Sequence, residues 1–262
     1  MADAVGQLHP PYCGDLRIVS LVPSLTELLC SLGLAEALVG RTGYCIHPRE
    51  TLRAVPKVGG TKDVNVAKIA ALRPTHLIVN IDENRRETVE ALTPSVGRVI
   101  VTHPLGPLDN PPLYRMLGEI FRREAEAERL CADFERARHG LAEVPKLARR
   151  VLYLIWKDPW MTVSRDTYLS RMLALIDWHT LPDQARARYP TVRLDEAWSD
   201  TVDTILLSSE PYRFGAAHVS EIAAMQQHHN KNVRLVDGEL LSWYGSRAIA
   251  GLDYLRQLAL RN

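Results

Sequence analysis

The sequence lacks the features that would place it in a membrane or on nucleic acid. Its longest apolar runs, such as Val151 to Trp156, are strand-sized, far short of the roughly 18 residues of a membrane span. Its 32 Lys and Arg residues offset 31 Asp and Glu residues, so it has neither a basic excess nor an acidic tail. We therefore expect a folded protein, most simply a monomer, that binds no nucleic acid and does not insert into a membrane.

Two further absences bear on the cellular compartment. The four cysteines include no C-x-x-C pair, which argues against a disulfide framework in a chain of 262 residues. The first 15 residues have neither a positive start nor an apolar core, so they do not resemble a secretory signal. We expect a cytoplasmic protein; the alternative is a periplasmic protein whose leader has been removed.

Catalytic motifs are also missing. The sequence contains no G-x-S-x-G elbow, no H-E-x-x-H motif, and neither of the glycine-rich phosphate-binding patterns. Ser24 stands at a strand-to-helix turn, but with Glu27 it matches a capping box, which accounts for it without a nucleophilic role. This pattern favours a protein that binds over one that catalyses.

Short strands alternate with helices along most of the chain, which is typical of βαβ units and a mainly parallel sheet. Residues 111–142 differ, because apolar side chains recur there at helical spacing and predict one long helix. The stretch "RPTHLIVNIDEN" is echoed later by "SDTVDTILLSSEPY". We predict an α/β protein of two similar lobes, residues 1–110 and 143–262, each with a mainly parallel central sheet and joined by the long helix.

Several stretches together resemble a known family. They are "RIVSLVPSLTELLCSLGL", "VPKVGGTKDVNVAKIAALRPTHLIVN", the long central helix and "WYGSRAIAGLDYL". The chain resembles the helical-backbone (class III) substrate-binding proteins of ABC importers, and its cobalamin-binding branch most of all. The resemblance implies a non-enzymatic protein that holds its ligand between two lobes and requires no cofactor. It also implies docking on a permease, if the protein is exported, through acidic residues, for which Glu83, Glu87 and Glu210 are the candidates.

Polar and aromatic side chains follow the predicted strands, where open α/β sheets bind their ligands. Aromatic faces there suit a large flat ligand, because stacking buries much area at low entropic cost. We therefore predict a bulky metal-bearing or polycyclic ligand, with a corrinoid as first choice and haem or a ferric siderophore as second. The alternative is ordinary packing of the core or of the lobe rim. The candidate ligand-binding residues are Tyr44, Asn80, Asp82, His103, Trp156, Trp160, Tyr212, Trp243 and Tyr244.

A metal-binding alternative also stays open. Cys45, His47 and His103 lie in loops after predicted strands, and with Asp82 or Glu83 they could form a mixed N/S/O site. Convergence of these side chains would favour an enzyme on the same scaffold, acting on a metal or a cofactor. Polar contacts are the alternative for the loop histidines, and a histidine could also ligate the metal of a bound macrocycle. The adjacent pair His228 and His229 is expected to be exposed.

The segment "NIDENRRE", residues 80–87, divides into two predicted tasks. Asn80 and Asp82 lie nearest the strand end, and we expect them to face the ligand. Glu83 and Asn84 are suited to cap the next helix, since acidic and amide groups satisfy free N–H groups at a helix start. Replacement of Asn80 or Asp82 by alanine should then weaken ligand binding with little effect on folding.

Overall fold

The chain divides into two compact units. The computed structural model describes residues 1–183, 186–225 and 231–261. The first unit comprises Met1–Pro104, Leu108–Phe134 and Tyr244–Arg247, and the second comprises Leu105–Pro107, Glu135–Trp243 and Ala248–Asn262.

A four-stranded parallel sheet forms the centre of the first unit, with strand order β2-β1-β3-β4. All five residues of β3 are buried, as expected for a central parallel strand covered on both faces. Apolar side chains on this sheet, including Val19, Leu77 and Val79, form one core cluster. The elements are β1 (Ile18–Ser20), α1 (Pro23–Ser31), β2 (Leu38–Arg41), α2 (Arg49–Leu52), α3 (Val66–Ala71), β3 (His76–Asn80), α4 (Arg86–Leu92) and β4 (Arg98–Thr102).

The second unit repeats this strand order. Parallel strands run β7-β5-β8-β9, and short β6 pairs antiparallel with the end of β5. The α/β prediction of two similar sheets is therefore confirmed, and β3 and β8, the strands of the echoed sequence, hold the same place in their sheets. The strands β6 and β7 were not predicted, because two or three residues give no readable pattern. The elements are β5 (Arg149–Trp156), β6 (Met161–Thr162), α7 (Tyr168–Ala174), β7 (Trp178–Thr180), β8 (Thr204–Ser208), α8 (Ala216–Ala223), β9 (Asn232–Val236) and α9 (Gly238–Ser242).

The predicted single long helix is wrong, because the structure contains two helices in its place. These are α5 (Asn110–Phe121) and α6 (Glu124–Ala142). Arg122 ends α5 in the left-handed conformation, with φ 57°. Gly118 permits the close approach of the next helix, since a Cβ there would lie 2.6 Å from the Cβ of Ala127. After the break α6 runs back along α5, so that Arg115 Nε lies 2.6 Å from Glu128 Oε1. Apolar residues recur at helical spacing within each helix, so periodicity alone did not reveal the break.

The start of α1 also differs from the prediction. The helix begins at Pro23, whose fixed φ suits a first helical position, so the N-cap is Val22 and the proposed capping box of Ser24 is wrong. Glu27, its expected partner, instead forms a bidentate ion pair with Arg247 at 2.8 and 2.9 Å, within the first unit. Arg247 opens the last helix, α10 (Arg247–Leu260). In the part of the chain that is described, no helix combines the length and the apolar character needed to cross a membrane.

Candidate functional site

The loop after β3 in the first unit is fastened by one amide side chain. Asn84 accepts a hydrogen bond from the backbone N–H of Asn80 at 2.9 Å. Its Nδ2 donates to the carbonyl oxygens of Leu21 at 3.3 Å and Thr61 at 2.9 Å. Asn84 therefore ties the ends of two strands to a neighbouring loop. It does not cap α4 as we predicted, since the N-cap of that helix is Arg85.

Asn80 faces inward, contrary to our expectation. Its side chain accepts from the backbone N–H of Asp82 at 2.8 Å and donates to the hydroxyl of Thr102 at 3.4 Å. Only 3% of Asn80 is exposed. Loss of buried hydrogen bonds lowers stability, so the structure leads us to expect that Asn80→Ala destabilises the fold, unlike the prediction made from the sequence.

Asp82 and His103 are brought together at the ends of β3 and β4. The Nε2 of His103 lies 3.3 Å from Oδ2 of Asp82, and the two side chains are 26% and 30% exposed. Among the described residues this Nε2 has no well-aligned hydrogen bond. The pair thus places a partly exposed carboxylate beside an imidazole, which attract each other when the imidazole is protonated.

Large apolar side chains are exposed in two loops of the first unit. Tyr44 is 66% exposed and Ile46 is 48% exposed in the loop after β2, and Ile81 is 46% exposed in the loop after β3. Single exposed apolar residues are common on protein surfaces. Here three of them lie in the loops after β2 and β3, the strands on either side of β1. Together they leave apolar area available to a ligand.

Tyr244, the last predicted ligand residue, belongs to the first unit and is buried. It is 8% exposed, and its hydroxyl donates a hydrogen bond to the carboxylate of Glu83. Burial, and next the neighbouring charge of Glu83, hold the pKa of this phenol well above its usual value. Tyr244 is therefore a packed residue whose polar end is occupied, which contradicts the expectation that it lines the site.

Aromatic side chains gather at the carboxyl ends of β5 and β8 in the second unit. The rings of Trp156 and Tyr212 lie 5.6 Å apart at 70°, and those of Trp160 and Phe214 are nearly parallel at 6.2 Å. Tyr212 contacts Phe214 at 4.7 Å and so joins the two pairs. We call Trp156, Trp160, Tyr212 and Phe214 the aromatic cluster. It unites three of the predicted residues, and Trp156 leaves 41% of its surface exposed.

Sequence reasoning missed two members of this neighbourhood. Phe214 is 5% exposed, and His218 in the first turn of α8 contacts the rings of both Tyr212 and Phe214. The spacing Tyr212, Phe214, His218 straddles the end of a loop and the start of a helix. No single periodicity covers that junction, although an aromatic pair followed by a histidine was a usable signal.

Trp243 and Glu210 form a separate contact in the second unit. Glu210 Oε1 accepts from the indole N–H of Trp243 at 2.8 Å and from the hydroxyl of Ser242 at 3.1 Å. Burial raises the pKa of the Glu210 carboxyl, and these two hydrogen bonds oppose the rise only in part. The indole of Trp243 is half-buried, and its N–H is occupied by Glu210.

A pocket of about 420 Å³ opens beside Trp160 within the second unit. Pro159, Val192, Leu194 and Met225 supply apolar walls, with charged side chains among the remaining lining residues. Apolar walls with a few polar groups are the usual composition of a small-molecule site.

The described residues do not have the side-chain geometry that the metal-binding alternative requires. Cys45 is buried, and its thiol contacts the hydroxyls of Thr26 and Thr42, each at 3.1 Å. Burial raises the pKa of this thiol, which disfavours the thiolate that binds metals. Across residues 1–183, 186–225 and 231–261, no group of three or more His, Cys, Asp or Glu side chains is placed to hold a metal ion. The convergence of Cys45, His47 and His103 is therefore contradicted, and His228 and His229 lie outside the described residues.

Comparison with known proteins identifies the family. A family model described as "Periplasmic binding protein" matches residues 18–229. The chain belongs to this family. It is 23% identical over 204 residues to the vitamin B12-binding protein of Pectobacterium carotovorum subsp. carotovorum (strain PC1), which covers 76% of this chain and 74% of that protein.

Two further likenesses agree with this membership. The chain is 27% identical over 261 residues to YvrC, an uncharacterised ABC transporter substrate-binding lipoprotein of Bacillus subtilis (strain 168), covering 92% of this chain and 79% of that protein. The fold matches that of the apo periplasmic heme-binding protein RhuT from Roseiflexus sp. RS-1, with a TM-score of 0.76, 20% identity, and coverage of 94% and 100%. The predicted relationship to the substrate-binding proteins of ABC importers is confirmed.

The three candidate docking glutamates of this binding protein differ in availability. The carboxylate of Glu83 accepts from Tyr244, and that of Glu210 accepts from Trp243 and Ser242. Glu87 is exposed in the first turn of α4. Glu87 is thus the one of the three whose carboxylate stands open on the surface.

Proposed function

We propose that this periplasmic binding protein binds a bulky metal-bearing or polycyclic ligand, with a corrinoid as first choice and haem or a ferric siderophore as second. The observation that carries the proposal is the aromatic cluster with its exposed Trp156. A flat macrocycle gains most from such faces, because each large ring buries area without ordering a flexible side chain. Vitamin B12 and haem, named for relatives of the chain, are ligands of this shape.

Apolar and polar side chains have different roles in the proposed binding. In the first unit, the exposed surfaces of Tyr44 and Ile81 supply apolar area, and Asp82 and His103 supply polar groups that orient a ligand's edge. In the second unit, the exposed face of Trp156 supplies apolar area. The proposed role is that of a binding protein, which requires no bound cofactor and no catalytic group.

Placement outside the cytoplasmic membrane follows from the proposed role. An importer's binding protein must meet its ligand before the membrane, and family membership favours the periplasmic alternative over the cytoplasmic expectation. An ABC permease is then the protein partner. Glu87 is the best-placed of the candidate residues to pair with a basic group on it, since its carboxylate is exposed.

The test is titration of the purified protein with cyanocobalamin, haemin and a ferric siderophore, followed by calorimetry and by tryptophan fluorescence. We expect saturable binding of at least one, and a loss of about tenfold or more in affinity for Trp156→Ala, the size of one large aromatic contact. Leu147→Ala is the matched control, because Leu147 is an exposed apolar side chain 59% accessible before the start of β5. Binding of none of the three, or equal losses in both variants, would contradict the proposal.

A further inference from the structure

We propose that His218 is a positioning residue, which holds the aromatic cluster in the geometry that receives the ligand and does so only as a neutral imidazole. The inference depends on the proposed function for its effect on affinity. Its structural part, the protonation pattern of one ring and the orientation of its neighbours, is independent of any ligand.

Two hydrogen bonds fix the state of the His218 ring. The backbone N–H of Gly215 donates to Nδ1 at 3.0 Å, so Nδ1 must carry a lone pair. The proton of the neutral ring is then on Nε2, which lies 3.1 Å from the hydroxyl oxygen of Tyr212 and donates to it. One imidazole ring thus bonds the N–H of Gly215, at the start of α8, through Nδ1 and the hydroxyl of Tyr212 through Nε2.

The ring also packs against both branches of the aromatic cluster. It meets Tyr212 edge-on at 5.5 Å and 81°, and Phe214 at 5.3 Å and 85°. Tyr212 in turn contacts Trp156, and Phe214 stacks on Trp160. Displacement of His218 would therefore release both tryptophans from the groups that orient them.

A second proton would break this arrangement. Imidazolium carries N–H at both nitrogens, so Nδ1 would oppose the N–H of Gly215, and the positive charge would lie at a helix N-terminus, which disfavours cations. The charged side chains on the elements around the ring are Lys157, Asp158, Arg213 and Glu221, and Glu221 is already paired with Lys157 at 2.6 Å. The hydrogen bond from Gly215 therefore requires the neutral ring.

The first experiment needs no ligand. Nitrogen-15 NMR of the histidine rings in the full chain, assigned by comparison with His218→Gln, reports which ring nitrogen carries the proton. We expect the Nε2–H form at pH 8. The Nδ1–H form, or a charged ring at that pH, would overturn the inference even if the protein binds its ligand as proposed.

The second experiment separates the two bonds of the ring. Asparagine places an oxygen near the Nδ1 position and keeps the contact to Gly215, whereas glutamine places a donor near the Nε2 position and keeps the contact to Tyr212. With cyanocobalamin and haemin as probes, we expect His218→Asn to lose about tenfold in affinity and His218→Gln to stay within about threefold. In a Tyr212→Phe background, His218→Asn should cause no further loss.

The readouts distinguish positioning from general destabilisation. Near-ultraviolet circular dichroism of the unliganded protein should change for His218→Asn and be retained for His218→Gln. Equal behaviour of the two variants would overturn the inference. If the wild type binds neither probe nor the ferric siderophore, the proposed function fails, while the NMR and dichroism results still decide the role of His218.

Discussion

The loops after β3 and β8 occupy the same position in two sheets of the same topology. The first contains buried amide side chains, whereas the second contains aromatic side chains. After β3, the side chain of Asn84 accepts from the backbone N–H of Asn80, and the side chain of Asn80 bonds the backbone N–H of Asp82 and the hydroxyl of Thr102. After β8, Tyr212 and Phe214 contact Trp156, the last residue of β5, and Trp160 in the loop that follows it. The buried amides after β3 are held by hydrogen bonds, whereas the aromatic residues after β8 contact a tryptophan that is partly exposed to solvent.

This difference separates residues that keep the fold from residues that can bind. A buried amide with three partners contributes to stability whether or not a ligand is present. An indole that is 41% exposed contributes less to folding and has area left to bury. Substitutions of the buried amides after β3 should therefore change the free energy of unfolding, and substitutions in the aromatic cluster should change affinity.

The strongest test of the comparison is Asn84→Ala. It removes three hydrogen bonds of a residue that is 8% exposed and leaves buried backbone groups unpaired, so we expect a loss of about 3 kcal/mol in the free energy of unfolding. Urea unfolding measures it. Asp82→Ala, two residues away and partly exposed, is the control and should cost under about 1 kcal/mol. Similar losses of unfolding free energy in the two variants would contradict the distinction between the buried, hydrogen-bonded Asn84 and the partly exposed Asp82.

The sequence allowed much of the fold to be predicted and less of the site. The strand pattern and the echo between the two halves identified two parallel sheets, because burial on both faces leaves continuous apolar runs such as that of β3. The break at Arg122 was not predicted, because apolar residues recur at helical spacing on both sides of it. Asn80 was assigned to the ligand as a polar residue at a strand end and Tyr244 as an aromatic ring, because the sequence does not show whether such a side chain turns inward or outward. Only the positions of their partners, Thr102 and Glu83, decide that question.

The first residues of the two strands give a comparison in pH response. β3 begins with His76, which is buried between the rings of Tyr12 and Phe121 at 4.9 and 5.1 Å, whereas β8 begins with Thr204, which does not titrate. Burial, followed by the nearby charge of Arg98, lowers the pKa of His76 from 6.5 to about 4. Between pH 6.5 and pH 4 the His76 imidazole is protonated in the unfolded chain but mostly neutral in the folded chain. The free energy of unfolding therefore falls as pH drops from 6.5 toward 4.

We expect this histidine to account for a loss of roughly 2 kcal/mol across that interval, after an allowance for solvent screening. His76→Phe keeps an aromatic ring between Tyr12 and Phe121 and should flatten the pH dependence of the free energy of unfolding. Chemical denaturation at several pH values measures the slope. An unchanged slope in the variant would show that other groups carry the acid sensitivity.

Two tyrosines sharpen the contrast between stability and binding. Tyr244 donates to Glu83 in the first unit, and Tyr212 contacts His218 in the second. Tyr244→Phe leaves the Glu83 carboxylate without this donor, so we expect it to lower the free energy of unfolding by about 1–2 kcal/mol with affinity unchanged. Tyr212→Phe should do the reverse, with lower affinity for cyanocobalamin or haemin and little change in unfolding. Thermal unfolding and calorimetry on the same preparations compare them, and parallel losses in either variant would contradict the contrast.

The smallest effect concerns the acid that follows β8. Burial raises the pKa of Glu210, so the folded chain binds a proton more readily than the unfolded chain does. Stability contributed at this site is therefore lost as pH rises through the raised pKa, and it returns as pH falls toward 4.5, the opposite of the response at His76. Glu210→Gln keeps an oxygen to accept from Trp243 and Ser242 while removing the charge.

We expect Glu210→Gln to be slightly more stable than the wild type at pH 8 and indistinguishable from it at pH 4. The gain should be the least of the four effects, because the two hydrogen bonds already offset part of the cost of burying the carboxylate. Denaturation of both proteins at the two pH values measures it. A variant that is less stable at pH 8 would show that the charge itself holds Trp243 and Ser242, in which case the loop after β8, like that after β3, would be closed by its own hydrogen bonds.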